Sequence, residues 1–176
     1  MPTYIALLRG INVGKNVLKM DRLRELCAGL GAANVRTYVQ SGNVVFEAKG
    51  SASHWTQALE KQLVGETRLP VSVMVRTAAE IASVHAGNPF LKEKGIEIAR
   101  LAVAFLRQPP PKPALDALRA LDIGSERFHH AGREIYVHCP NGFADSKLYG
   151  LDKILKQPTT SRNWNTITKL REMSIE

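Results

Sequence analysis

Cysteine is nearly missing from this chain. There are two in 176 residues, Cys27 and Cys139; they supply no disulfide framework, and a reducing, cytoplasmic setting is expected. Aromatic side chains are sparse at 6%, and no segment reads like the aromatic-rich strands of an RNA-recognition motif. Long apolar runs are lacking too. The longest, Leu101 to Leu106, falls far short of the roughly 20 residues that cross a bilayer. No basic-then-apolar leader precedes the first apolar segment, so neither secretion nor a membrane partner is expected. Like charges never gather into blocks of five or six, which leaves no charged tail. No P-loop or dinucleotide fingerprint occurs, and no cofactor is expected.

What is present fits a soluble globular protein: 44% hydrophobic and 23% charged residues, enough for one ordinary domain or two very small ones. The formal net charge of +8 favours phosphate-bearing partners through long-range attraction. The plain alternative is a set of solvated basic faces.

Hydrophobic periodicity divides the chain into two similar halves. Residues 3–9 form an apolar run filled at both parities, a strand expected to be covered on both faces. Met20, Leu23, Leu26, Cys27 and Leu30 recur at helical spacing. Val35 to Val39 alternates and, after a Ser41-Gly42 turn, Val44 to Glu47 continues, which predicts a hairpin. Trp55, Ala58, Leu59 and Leu63 mark a second helix, and Val71 to Arg76 a β-branched strand. A connecting helix is expected over 77–93, closed by Gly87-Asn-Pro-Phe90. The order then restarts. Arg100 to Arg107 reads as a strand and Leu115, Leu118 and Leu121 as a helix. Arg127 to His130 and Glu134 to His138 read as strands around an Ala131-Gly132 turn, with helices over 146–156 and 162–173. The expected fold is α+β: two consecutive ferredoxin-like (split β-α-β) units, the second lacking its last strand and ending in helices. The expected boundaries are 1–76, a connector over 77–98, and 99–176.

That topology brings the exit of the first strand and the hairpin between the second and third to one edge of the sheet. Arg9 to Lys15 and Gln40 to Asn43 are therefore expected to converge. Gly10 and Gly14 would let backbone approach a ligand, and Arg9 and Lys15 would add charge. Asn12, Gln40, Ser41 and Asn43 would orient it. Such a cradle suits a phosphate or carboxylate; the competing reading is that these residues only satisfy turn geometry. In Thr159-Thr-Ser-Arg-Asn-Trp-Asn-Thr166, Thr160 or Ser161 is expected to cap the last helix, with Arg162 and Asn163 in its first turn. His129, His130, His138 and Cys139 match no common zinc spacing, and no metal site is expected. Arg127, His129, Tyr136 and His138 share a strand face that could instead grip a nucleic acid. Carboxylates are scattered singly, and Ser41 has no histidine near it in sequence, so no catalytic residue stands out.

Three of these stretches together resemble one bacterial family, catalogued as domain of unknown function 1697 (DUF1697). They are Leu7-Leu-Arg-Gly-Ile-Asn-Val-Gly14, Thr37-Tyr-Val-Gln-Ser-Gly-Asn43 and Thr160-Ser-Arg-Asn-Trp-Asn-Thr166. The resemblance implies an α+β fold of paired ferredoxin-like units and supplies no reaction, substrate or cofactor. Members usually carry a glycine where this chain has Lys15 and a threonine where it has Ser161. The leading expectation is a binding protein for a phosphate-bearing small molecule or nucleotide held by Arg9, Gly10, Asn12, Gly14, Lys15, Gln40, Ser41 and Asn43. Arg162 and Asn163 would join if the last helix returns to that edge, with Lys147 a weaker candidate. The alternatives are nucleic-acid binding along a basic sheet face, an enzyme of undefined reaction on a phosphorylated substrate, and an interaction module whose second strand faces are covered by a partner chain.

Overall fold

The computed structural model describes residues 1–15, 17–39 and 42–176. The fold is α+β with two four-stranded antiparallel sheets. By its internal packing the chain forms two compact units. One comprises Met1–Ser83 with Lys169–Glu176, and the other Val84–Thr168.

In the first unit the order is β1 (Thr3–Arg9), α1 (Met20–Gly29), β2 (Ala33–Tyr38), β3 (Asn43–Glu47), α2 (Ala52–Thr67) and β4 (Ser72–Thr77), followed by α3 (Ala78–Ala86). The sheet order is β2-β3-β1-β4. Tyr4 through Leu8 are all buried, as expected of a strand apolar at both parities. One core joins Tyr4, Ala6 and Leu8 of β1 to Leu23, Leu26 and Cys27 of α1 and Trp55, Leu59 and Leu63 of α2. Those helical residues follow the spacing of a single apolar stripe. Ser51 caps α2 by accepting a hydrogen bond from the His54 amide at 3.1 Å. Thr77 and Glu80 form a reciprocal box at the start of α3, at 2.8 and 3.1 Å.

The second unit repeats the sequence of elements: β5 (Leu101–Leu106), α4 (Lys112–Arg119), β6 (Arg127–Ala131), β7 (Glu134–His138), α5 (Asp152–Leu155), β8 (Thr159–Asn163) and α6 (Trp164–Met173). Its sheet order is β6-β7-β5-β8. Three expectations change here. The second unit does not lack its last strand: β8 pairs with β5 from Ala102↔Asn163 to Leu106↔Thr159. Thr-Thr-Ser-Arg-Asn has no apolar run to announce a strand, yet its β-branched threonines pack well on a pleated sheet. Second, the helix expected over 146–156 shrinks to Asp152–Leu155. Leu148, Leu151 and Leu155 are buried in one core, but the segment before α5 is held by turns. Third, Ala131 pairs with Glu134, which shifts the hairpin turn to Gly132-Arg133. Phe128, Ile135 and Val137 still face that core together.

Candidate functional site

The antiparallel register places three connections at one end of the first sheet. Leu7 lies opposite Asn43 and Arg9 opposite Ser72. The end of β1 is thus flanked by the β2–β3 hairpin on one side and the start of β4 on the other. The Leu8 amide donates to the Gly42 carbonyl at 2.8 Å. A Cβ on Gly42, at φ +89°, would lie 2.7 Å from Ile11 Cδ1 and 2.8 Å from Leu8 Cβ. The loop leaving β1 and the hairpin are packed against each other.

Within this convergence several residues have structural partners. Gly10 (φ +92°) passes so close to the segment leading into β4 that a Cβ would stand 2.5 Å from the Pro70 carbonyl oxygen. Its close approach is to protein backbone. Asn12 (φ 53°) accepts a hydrogen bond from the Leu18 amide at 2.7 Å through Oδ1, which closes the loop on itself. Asn43 is fully buried and donates from Nδ2 to the Tyr38 carbonyl at 2.8 Å. Arg9, Gly14 and Lys15 are exposed. Gln40 and Ser41, also expected in the site, lie outside the described residues.

Beside this loop a cleft of about 460 Å³ opens between Lys15 and Val17 to Lys19 on one side and the end of α2 on the other. Lys15, Lys19 and Arg22 line it with positive charge, Glu66 with one carboxylate, and Val17, Leu18 and Leu69 with apolar surface. Lys19 immediately precedes α1 and makes no side-chain cap there. Arg22 grips Glu66 in two-point fashion, Nε to Oε1 at 2.7 Å and Nη2 to Oε2 at 3.1 Å. Its third nitrogen donates to Glu25 at 3.1 Å. These bonds, first of all the one to Glu66, raise the Arg22 pKa above the usual guanidinium value. The same bond holds the Glu66 carboxyl below the usual range. Among the described residues that line the cleft, the lysines and Arg22 outnumber Glu66, and the volume falls within the roughly 300–1,000 Å³ of small-molecule sites. Of the described residues among those expected from sequence to bind the ligand, Lys15 alone lines it.

The second unit places the remaining expected residues in structural roles. Arg162 and Asn163 lie in β8 and not in the first turn of α6. Arg162 is buried and donates to Thr160 Oγ1 at 2.7 Å and to the Ser161 carbonyl at 2.9 Å. Burial pushes its pKa down to about 10, leaving it charged at neutral pH. Asn163, and not Thr160 or Ser161, caps α6 by accepting from the Thr166 amide at 2.9 Å. Lys147 donates to the Asp122 carbonyl at 2.9 Å. On the strand face considered for nucleic acid, Tyr136 is buried and donates to the Val84 carbonyl at 2.8 Å. Arg127 lies over the Phe90 ring and pairs with Glu93 at 2.9 Å. Among the described residues no group of three or more His, Cys, Asp or Glu side chains could hold a metal ion. No helix of the described residues is long and apolar enough to cross a membrane.

A family model described as "Protein of unknown function (DUF1697)" matches residues 1–136. The chain belongs to the DUF1697 family. That span contains the first two motifs of the resemblance and the whole lining of the cleft; the Thr160–Thr166 motif lies beyond it. Among solved structures, a conserved bacterial protein from Streptococcus pneumoniae, SP0830, superimposes with a TM-score of 0.79 at 23% identity. The alignment covers 100% of this chain and 99% of that one, which shows a shared fold. No curated protein matches.

For this DUF1697 chain, sequence reasoning missed Lys19, Arg22 and Glu66. Arg22 and Glu66 are 44 residues apart and fall on the exposed sides of two predicted helices, where a charged residue is unremarkable. The one available signal was Lys15 and Lys19, which follow Gly10 and Gly14 in the chain.

Proposed function

We propose that this protein binds a phosphate-bearing small molecule or nucleotide in the cleft between the loop after β1 and the end of α2. The observation that carries the reading is the lining: Lys15, Lys19 and Arg22 converge in one concavity. Positive side chains brought together raise the local potential and favour an anion there. The net charge of +8 adds long-range attraction. No reaction is proposed, because Glu66 is the one carboxylate among the described lining residues and Arg22 already holds it. We read both units as ferredoxin-like, on the strand orders β2-β3-β1-β4 and β6-β7-β5-β8. Cytoplasmic residence is supported by two buried cysteines that form no disulfide.

The test is thermal unfolding of the chain with inorganic phosphate, sugar phosphates and nucleotides, compared with the double variant Lys15→Ala/Lys19→Ala. Both lysines are exposed, so the variant keeps its fold. A ligand at 100 times its Kd adds about 2.7 kcal/mol to the stability of the wild type; the variant loses most of that gain, and rising salt erodes it in both proteins. Equal stabilisation of wild type and variant, or none by any phosphate, rules the site out.

A further inference from the structure

The cleft specifies more than a negative charge. Its polar lining is asymmetric: Lys15, Lys19 and Arg22 are donors, and Glu66 supplies carboxylate oxygens among them. Thr67, the remaining polar residue among the described lining residues, is already engaged; its hydroxyl donates to the Leu63 carbonyl at 2.8 Å and accepts from the Leu69 amide at 3.3 Å. Glu66 is bound by Arg22, yet its side chain stays 31% exposed. A carboxylate has about four acceptor positions, and the two bonds from Arg22 fill two of them. The open positions repel a second anionic group. A ligand cation there would face three positive side chains. Neutral hydroxyl donors suit this edge best.

Resting on the anion-binding reading above, the geometry points to a phosphate monoester of a hydroxylated carbon skeleton, a sugar phosphate or nucleotide, as the occupant. Its phosphate sits at Lys15 and Lys19, and its hydroxyls donate to Glu66. Val17 and Leu69 offer apolar wall to the rest of the molecule. Glu66 is thus a specificity residue that tells a polyol phosphate from a bare or alkyl phosphate.

Isothermal titration calorimetry on the full chain with methyl phosphate, ribose 5-phosphate and adenosine 5′-monophosphate tests this. All three carry the same phosphomonoester head. Ribose 5-phosphate is expected to bind roughly tenfold or more tightly than methyl phosphate, the scale of a hydrogen bond to a charged group. In Glu66→Gln that ratio falls towards one, while methyl phosphate binds more tightly because a repelling charge is gone. A further gain for the adenosine nucleotide assigns the apolar wall to a base; equal binding of the two ribose compounds assigns the site to sugar phosphates. A wild-type ratio near one overturns the inference and leaves anion binding standing, and so does a ratio unchanged by Glu66→Gln. Failure of all three to bind overturns both. The wild-type ratio needs no variant, so a poorly folded Glu66→Gln does not blunt the test.

Discussion

Asn43 opens β3 with its side chain sealed from water and its amide bound to the carbonyl of Tyr38. Losing that bond costs about 0.5–1.5 kcal/mol. Asn43→Ala should lower the urea unfolding midpoint accordingly; a midpoint unchanged from wild type would show the bond to be dispensable. The same amide, read in sequence beside a glycine turn, fits a ligand contact equally well. An asparagine carries the same donor and acceptor whether it closes a turn or orients a phosphate, and only burial separates the two roles. Arg162 repeats the lesson. Its charge suggested an exposed helix end, whereas its guanidinium is buried against Thr160 and the Ser161 carbonyl. Lys15 is the reverse case: its carbonyl accepts from the Val17 amide at 3.1 Å, while its side chain is exposed on the cleft wall.

Elements were legible where their apolar side chains repeat at a fixed period. The stripe Leu23, Leu26, Cys27 gives α1, the stripe Trp55, Leu59, Leu63 gives α2, and the continuous run Leu101–Leu106 gives β5. They became illegible where the repeat was polar or accidental. The strand β8 is Thr-Thr-Ser-Arg-Asn, and the leucines at 148, 151 and 155 mimic a helical period across turns. Glycines divide the same way. Gly42 is demanded by its left-handed backbone and by the nearness of Ile11 and Leu8, so Gly42→Ala should destabilise the hairpin end by about 1–3 kcal/mol. Gly29 ends α1 with nothing within 4 Å of a built Cβ, and Gly29→Ala should stabilise by about 0.5–1 kcal/mol. Paired denaturation curves for the two variants, moving in opposite directions, check both. A Gly42→Ala protein as stable as wild type would mean that the packing of turn on loop relaxes without cost.

On the scale of the whole chain, the polypeptide leaves the first unit after Ser83 and rejoins it at Lys169, within α6. The tail carries Leu170 and Met173, both buried. Arg36 donates to the Met173 carbonyl at 2.6 Å and pairs with Glu176 at 2.7 Å. Ending the chain at Thr168 exposes what those two apolar side chains cover and removes both partners of Arg36. At about 1.5–3 kcal/mol per large apolar side chain, the truncated protein should lose roughly 3–6 kcal/mol, a large share of an ordinary domain's stability. Urea unfolding of residues 1–168 measures it, and a midpoint equal to that of the full chain refutes the tail's role. The sequence by itself determined the alternation of strands and helices as far as β7, the restart of that order in the second half and the burial of β1 at both parities. Those features are written in the period of neighbouring side chains, which needs no knowledge of distant residues. Tertiary structure alone decided that Lys15, Lys19, Arg22 and Glu66 line one cleft, that β8 completes the second sheet, and that the last eight residues belong with the first unit. Such juxtapositions follow from strand register and from where the chain returns, and no local pattern encodes them.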